Sequence, residues 1–196
     1  GEVGRSGVSL ATIDDMRGVF QGIPLDKVSI NLLCASCSAA AVFSMYLALA
    51  ENQGIDPALL RGTITNDPLH AYICISKEAN PPQLSLKLAT DLIEFCSEKM
   101  PLWHAAYINT YDIRETGADA IQEVSFGLAI AISYIEEALK RGLNIDQFGP
   151  RVSFYCNAGL DIFEEAAKFR AMRRMWAKLM KERYGAKNPK SWKFRF

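Results

Sequence analysis

Residues 60–67, LRGTITND, indicate the fold of this chain of 196 residues. The stretch begins as a short strand, ends in three polar residues and leads into a helical segment that starts at Pro68. Residues 111–117, YDIRETG, and residues 150–155, PRVSFY, stand at similar junctions. We expect all three to line one rim of a parallel β/α structure, where such folds place their chemistry.

Strand-like and helix-like segments alternate along the rest of the chain. The predicted strands are residues 27–33, 60–64, 105–110 and 151–155, with the start of a fifth at residue 192. The predicted helices are residues 39–52, a short one from residue 68, and residues 85–99, 117–141 and 161–184. Each interval between strands is long enough for a helical crossover, so neighbouring strands should be parallel.

Consecutive βα units of this kind occur in open doubly wound sheets and in (β/α)₈ barrels. No glycine-rich nucleotide loop follows any of the predicted strands, which argues against a doubly wound sheet. A complete barrel needs about 250 residues and eight strands. We therefore predict an α/β fold: a parallel (β/α) barrel of the TIM type, about half of it present, with four to five βα units.

Composition excludes several classes of function. The formal net charge is zero, so no general attraction to nucleic acid or anionic lipid is expected. Charges interrupt the apolar stretches within a helix length, which argues against a membrane span. The chain starts without Met or an apolar signal segment, so we interpret it as part of a longer protein. Its five scattered cysteines suggest reduced thiols in the cytoplasm or, in a eukaryote, the mitochondrial matrix.

Several motifs together resemble the barrel domain of methylmalonyl-CoA mutase and its adenosylcobalamin-dependent acyl-CoA mutase relatives. They are GTIxND at 62–67, PP at 81–82, YxIRExGA at 111–118, NxDxFxPRxSF at 144–154 and KNPKS at 187–191. The resemblance implies that residues 1–196 are a partial (β/α)₈ acyl-CoA mutase barrel domain, without the cobalamin-binding domain. It implies an isomerase that rearranges a CoA thioester by radical chemistry, with adenosylcobalamin held mainly by a domain outside this chain. The implied partners are the acyl-CoA thioester and the remainder of the parent chain or a second mutase subunit, in an oligomer.

The resemblance also assigns catalytic and substrate-binding residues. Tyr111 and Asp112 stand in the catalytic positions, but the family has a histidine where this chain has Asp112. A carboxyl group could replace the imidazole as a hydrogen-bond donor only if it were protonated. As an anion, Asp112 could instead bind a hydroxylated or cationic group of the substrate. If the site were inactive, we expect Asp112 to pair locally with Arg114 or with a lysine of a neighbouring loop.

The expected substrate-binding residues are Thr65, Ile75, Arg151, Ser153 and Tyr155. Arg151 and Ser153 match positions that contact CoA, and Tyr155 matches an aromatic position beside the acyl group. Thr65 replaces a glutamine, and Ile75 replaces the arginine that binds a substrate carboxylate in some relatives. The resemblance therefore implies an uncharged acyl group.

Structural roles for the same residues stay open. Asn66 and Asp67 would equally cap the following helix, Glu115 would anchor a loop, and Arg151 would form an ion pair at the barrel rim. The two histidines, His70 and His104, belong to different βα units, so no hydrolytic triad is expected.

Cys34 and Cys37 have the spacing of a redox motif but lack the partners of a metal site, so we expect no metal ligands here. Two functions remain. One is a fragment of an acyl-CoA mutase with diverged site residues. The alternative is a non-catalytic, mutase-like structural subunit that partners an active chain.

Overall fold

The computed structural model of the chain describes residues 4–74 and 80–196 and has an α/β fold with parallel strands. The helices are α1 (Ile13–Val19), α2 (Ala39–Asn52), α3 (Pro68–Cys74), α4 (Pro82–Lys99), α5 (Tyr111–Glu115), α6 (Ala120–Lys140), α7 (Ile145–Phe148) and α8 (Ile162–Lys178). The strands are β1 (Ser29–Leu32), β2 (Arg61–Ile64), β3 (Trp103–His104), β4 (Tyr107–Asn109) and β5 (Ser153–Tyr155). Short 3₁₀ turns lie at Ser36–Ser38, Pro57–Leu59 and Gly149–Arg151, and a π-helical turn, Leu179–Arg183, extends α8.

The strands form two parallel groups, β1-β2-β3 and β4-β5. The prediction of parallel neighbours is confirmed for every pair that forms. The predicted third strand, residues 105–110, is instead two short strands that are separated by Ala105 and Ala106.

Side-chain alternation explains this break. The ring of Trp103 packs on the α2 side chain Tyr46, with ring centroids 5.3 Å apart. Ile108 is in register with Phe154, whose ring packs against Trp176 of α8 at 5.3 Å. Successive side chains of a strand point to opposite faces, so Trp103 and Ile108 can both face the helices only if an extra residue shifts the alternation.

The predicted fifth strand is not formed as a strand. Residues 189–193 lie in turns and a bend, and residues 194–196 carry no regular structure. One backbone hydrogen bond, from Phe154 N to Arg195 O at 2.8 Å, places this segment beside β5. The ring of Phe194 also packs on Phe154, with centroids 4.5 Å apart.

Gly62 allows β1, β2 and β3 to come together. Its φ is +156°, and a Cβ there would lie 2.1 Å from the carbonyl oxygen of Ile30 and 2.8 Å from the Trp103 ring. Any larger residue would therefore push neighbouring strands apart. This steric requirement accounts for the glycine of the motif at residues 60–67.

The helix predictions hold except at the ends. The long helix α6 begins after the capping residue Asp119, three residues later than the sequence suggested. Its end at Gly142 is confirmed, with φ of +88°. The short helices α1, α5 and α7 were not predicted, and α5 is the one that carries Tyr111 and Asp112. Within residues 4–74 and 80–196, every helix is too short or too polar to cross a lipid bilayer.

Candidate functional site

Two of the three motifs meet at the carboxyl ends of the strands. Asp67 follows β2, and Asn109 ends β4. The backbone N–H of Asn109 donates to Asp67 Oδ2 at 2.8 Å. The amide of Asn66 donates to the carbonyl oxygens of Ala89 and Ala105 at 2.9 and 3.0 Å. The loops that follow β2 and β4 are therefore joined by buried hydrogen bonds rather than by helix caps alone.

Asp67 is a fully buried carboxyl group of this rim. Its side chain is fully buried, and Oδ1 accepts hydrogen bonds from the Tyr134 hydroxyl at 2.7 Å and from the His70 backbone N–H at 3.2 Å. Burial raises the pKa of Asp67, and the nearby His70 partly opposes this effect. The expectation that Asp67 caps the following helix is met by the bond to His70 N. Its further bonds make it an anchor between β2, β4 and α6.

His70 is the residue that sequence reasoning missed. Its ring is 2% exposed, and Nε2 lies 3.1 Å from Asp112 Oδ2. The side-chain amide of Asn109 donates to the same Oδ2 at 2.7 Å. The Asp-x-x-His spacing at residues 67–70 is the available signal, because residues three apart on a helix share a face. The spacing alone did not indicate that this face meets Asp112 of another βα unit.

Asp112 does not pair with Arg114, although this pair was expected if the site were inactive. Arg114 instead donates to the Ala118 carbonyl oxygen and to Glu164 Oε2, both at 2.9 Å. The reason is the turn of α5, which directs Asp112 back toward His70 while Arg114 reaches α8. The carboxylate of Asp112 remains 35% exposed, so it can contact a ligand.

Three tyrosine rings lie beside Asp112. The ring centroids of Tyr111 and Tyr155 are 5.1 Å apart, and those of Tyr107 and Tyr155 are 6.2 Å apart. Tyr155 is 46% exposed. The negative charge of Glu115 raises the pKa of Tyr111, and burial raises the pKa of Tyr107. These uncharged rings form a surface on which a flat or branched apolar group can pack.

Thr65 contributes an unpaired hydroxyl group at the same end of the sheet. Its side chain is 4% exposed, and Oγ1 has no hydrogen-bond partner in the part of the chain that the structure describes. Buried hydroxyl groups are normally hydrogen-bonded, so Thr65 Oγ1 can donate to a ligand oxygen. Ile75, the other expected contact from this loop, lies outside the described residues.

A buried charge cluster fixes the ends of β4 and β5. Lys168 Nζ lies 2.7 Å from Glu123 Oε2, and both side chains are at least 95% buried. The other oxygen of Glu123 accepts from Thr110 Oγ1 at 2.9 Å and from Asn157 N at 3.2 Å. Asn157 also donates to Glu115. The expectation that Glu115 anchors a loop is therefore met, and the cluster holds α5 in place.

Arg151 lies at the opposite end of the sheet, so the prediction of a single rim is wrong for the third motif. It precedes β5 and lines a cavity of about 470 Å³ together with Arg61 and His104. The motif crosses the sheet: Arg151 is at the amino end, Ser153 is within β5, and Tyr155 is at the carboxyl end. A strand-end pattern in sequence does not say which end of the strand it marks.

The amino end is rich in positive charge. No carboxylate pairs with Arg61, Arg151 or Arg195 within residues 4–74 and 80–196. Burial lowers the pKa of Arg151, and the charge of Arg195 adds to this effect. Burial, followed by the two arginines Arg151 and Arg195, lowers the pKa of His104 to about 4. The expected ion pair of Arg151 is therefore absent from the described part, and this end suits an anion.

One face of the two-stranded sheet, β4 and β5, runs from the amino end to the carboxyl end. Ser153 is in register with Tyr107, and Asn109 with Tyr155, while the alternate residues Ile108 and Phe154 are buried toward the helices. Because alternate residues share a face, Ser153 and Tyr155 lie together on the side away from α8. In the described ranges, no group of three or more His, Cys, Asp and Glu side chains is arranged to hold a metal ion.

Comparisons with known proteins agree with the motifs. The family described as "Methylmalonyl-CoA mutase" matches residues 1–196. Methylmalonyl-CoA mutase of Escherichia coli is 40% identical over 97% of this chain, and the large subunit of the Propionibacterium freudenreichii enzyme is 40% identical over 100% of it. The 2-hydroxyisobutanoyl-CoA mutase large subunit of Aquincola tertiaricarbonis is 39% identical over 100%. The chain spans 26%, 26% and 35% of these three relatives, respectively.

Proposed function

The chain belongs to the methylmalonyl-CoA mutase family, and we propose that it forms part of the substrate-binding barrel of an adenosylcobalamin-dependent acyl-CoA mutase. In this proposal, residues 1–196 are about half of a (β/α)₈ barrel of the TIM type. The remaining strands and the cobalamin-binding domain come from other parts of the enzyme. The reaction is a 1,2-rearrangement of a CoA thioester.

The observation that carries the proposal is the sheet face that connects a cationic end with a polar, aromatic end. Acyl-CoA has phosphates at one end and a thioester at the other, joined by a narrow linker. Arginines without acidic partners suit phosphates. The path from Arg151 to Tyr155 covers four residues, which is about 13 Å in a strand. We propose that the linker follows this path, so that the acyl group reaches Tyr155, Thr65 and Asp112.

The residues at the carboxyl end also fit a cofactor that lies against these strand ends. The unpaired hydroxyl of Thr65 and the open rings of Tyr111 and Tyr155 offer one hydrogen-bond donor and a flat apolar surface. When bound, adenosylcobalamin supplies a carbon radical by homolysis of its cobalt–carbon bond. In this proposal Thr65 donates to the thioester oxygen, while Tyr107 and Tyr155 exclude water from the acyl group.

The substrate that we propose is an uncharged acyl thioester, closer to isobutyryl-CoA than to methylmalonyl-CoA. A buried carboxylate without a partner costs several kcal/mol. The cations near the rim are already engaged: Arg114 pairs with Glu164, and Lys168 pairs with Glu123. By resemblance, Ile75 stands where relatives that bind a carboxylate have arginine. Among the described residues, neither of these cations is therefore left for a free carboxylate on the substrate.

We also propose that the enzyme is an oligomer located in the cytoplasm or the mitochondrial matrix. All five cysteines are unbridged thiols, which is typical of a reducing compartment. Half a barrel would present unpaired strand edges, which proteins normally cover with another chain or segment.

CoA binding tests the proposed site. In calorimetry, Arg151→Gln should weaken the binding of isobutyryl-CoA about tenfold, because one charge-assisted contact to phosphate is lost. Arg173, which is exposed on α8, provides a control of equal charge change: Arg173→Gln should leave the affinity unchanged. An equal loss in both variants, or no CoA binding at all, would refute the proposed path.

A further inference from the structure

The positive charge of the chain is concentrated from Lys168 onward. Residues 168–196 contain half of the 22 Lys and Arg residues but only one acidic residue, Glu182. The net charge of zero therefore combines a basic segment, residues 168–196, with an acidic remainder. Such an asymmetry of charge indicates a surface for a negatively charged partner.

A groove of about 940 Å³ lies along this basic segment. One wall is the outer side of α8, and the other is formed by residues 192–196. The stacked rings of Phe169 and Phe196, with centroids 4.7 Å apart, join the two walls. The exposed side chains of Arg170, Arg174 and Lys193 line the same space. We call this surface the basic groove.

These three cations have no acidic partner within the chain. In the part of the chain that the structure describes, Arg170, Arg174 and Lys193 form no ion pair. By contrast, Lys178 and Arg183 of the same segment each lie beside a glutamate. Like charges around one groove repel each other, so the three cations do not stabilise the chain by themselves. Carboxylates from another segment would remove this repulsion.

The aromatic side chains of the groove favour a protein partner over nucleic acid. Bases bind proteins by stacking on open aromatic faces. Phe194 lies between Phe154 and Phe196, with ring centroids 4.5 and 5.4 Å away. Lys181 Nζ covers one face of Trp192 at 4.1 Å from the ring centroid. These rings therefore suit apolar side chains better than bases.

The exposure of the groove favours a partner that covers a large surface. Sites for small ligands enclose most of the ligand, whereas Arg170, Arg174 and Lys193 are all exposed to solvent. Ala177 also lines the groove, and a small side chain allows a second helix to pack closely against α8. A helix that carries both apolar and acidic side chains fits this combination.

We propose that the basic groove receives an amphipathic helix from the remaining part of the enzyme, whose Asp or Glu carboxylates face Arg170, Arg174 and Lys193. The chain spans only 26%, 26% and 35% of three relatives. The segment that forms one wall lies beside β5, through the bond from Phe154 N to Arg195 O, where the proposed barrel continues. The source of the helix therefore rests on the proposed function, whereas the chemistry of the groove does not.

Carbodiimide coupling tests for an acid beside Lys193. The reagent joins a lysine amine to a carboxylate when the two groups are in contact. In the enzyme assembled with its remaining parts, mass spectrometry should find Lys193 coupled to an Asp or Glu outside residues 1–196. Lys193→Arg keeps the charge and should remove this product. Lys190, an exposed lysine outside the groove, is the internal control. No product at Lys193, or equal yields at both lysines, would overturn the proposal.

Charge reversal tests the two arginines. Arg170→Glu combined with Arg174→Glu should lower the thermal midpoint of the assembled enzyme by about 2–4 °C but should not destabilise residues 1–196 alone, because repulsion is relieved there. Lys27→Glu combined with Lys190→Glu, an equal charge change at exposed lysines outside the groove, should shift neither midpoint. An equal loss in residues 1–196 alone would overturn the proposal.

Two further measurements separate the alternatives. RNA or phosphatidylserine vesicles that bind the assembled enzyme through these arginines would overturn the proposal, because the groove would then be open to solvent. Calorimetry with isobutyryl-CoA tests the proposed function separately. Absence of CoA binding would refute the CoA site, and coupling at Lys193 would still decide what occupies the groove.

Discussion

The two ends of the sheet hold their charges in opposite ways. At the carboxyl end, Asp67, Glu123 and Asp112 are buried or half-buried acids, and each has specific donors within the protein. At the amino end, Arg61 and Arg151 share a cavity but have no acidic partner in the described part of the chain. Buried, fully paired charges fix a structure, whereas unpaired charges at a cavity are available to a ligand. Stability and anion binding therefore depend mainly on different ends of the strands.

Lys168→Met, at the carboxyl end, should lower the free energy of unfolding the most. The substitution keeps a side chain of similar length but leaves Glu123 buried without its cation, and Glu165 with only Arg114 at 3.9 Å. Losing one partner of a buried charge cluster costs about 3–5 kcal/mol. Urea denaturation should show this loss in the free energy of unfolding. Lys178→Met removes an exposed lysine that is paired at 3.8 Å and should cost less than about 1 kcal/mol. Equal effects would mean that the buried cluster is not the anchor.

Lowering the pH should reduce the stability of the folded chain through His104 at the amino end. Its pKa of about 4 in the folded chain lies below the ordinary value of 6.5, so the unfolded chain binds more protons between these two pH values. Stability should therefore fall as the pH is lowered from about 6.5 to about 4, and His104 should add nothing further below that. Because the ring is only partly buried, solvent screening limits the effect to about 1–2 kcal/mol.

The variant His104→Gln isolates this contribution. Denaturation at a series of pH values should show a smaller loss of stability between pH 6.5 and pH 4 in the variant than in the unaltered chain. Identical pH profiles would show that burial and the two neighbouring arginines do not lower the pKa of His104.

Arg151→Gln should have the smallest effect on stability. Its burial and the charge of Arg195 disfavour the charged form of Arg151. Within residues 4–74 and 80–196, its one side-chain hydrogen bond is with His104 Nε2 at 3.4 Å. The free energy of unfolding should change by no more than about 0.5 kcal/mol, as for a surface substitution. A loss of several kcal/mol in thermal or urea denaturation would show that Arg151 stabilises the fold and is not available to bind a ligand.

The regular parts of the fold could be predicted from sequence because each depends on a local signal. The helix Ala39–Asn52 was predicted with its observed bounds, and the end of α6 at Gly142 follows from a residue that tolerates positive φ. The break between β3 and β4 could not be predicted. It depends on Trp103 and Ile108 both facing helices, which is a tertiary requirement.

The candidate site could be predicted only in part, because its residues come from segments that are far apart in the sequence. Sequence motifs identified Asp112 and Tyr155, but the partner of Asp112 comes from another βα unit. His70 follows β2 and Asp112 follows β4, and their side chains meet where the hydrogen bond from Asn109 N to Asp67 joins the ends of these strands. Arg151 was assigned to the wrong rim, because the pattern of residues 150–155 gives no information on which end of β5 carries the charge.

We propose that this chain binds an uncharged acyl-CoA thioester across the face between the two ends and presents it for radical rearrangement. The most direct test is single-turnover hydrogen transfer between 5′-labelled adenosylcobalamin and isobutyryl-CoA or 2-hydroxyisobutyryl-CoA in the assembled enzyme. We expect label to enter the acyl group of at least one of these two thioesters, and to enter methylmalonyl-CoA more slowly. Arg151→Gln should reduce the transfer at a limiting concentration of thioester. No transfer to either uncharged thioester would contradict the proposed activity and favour a non-catalytic subunit.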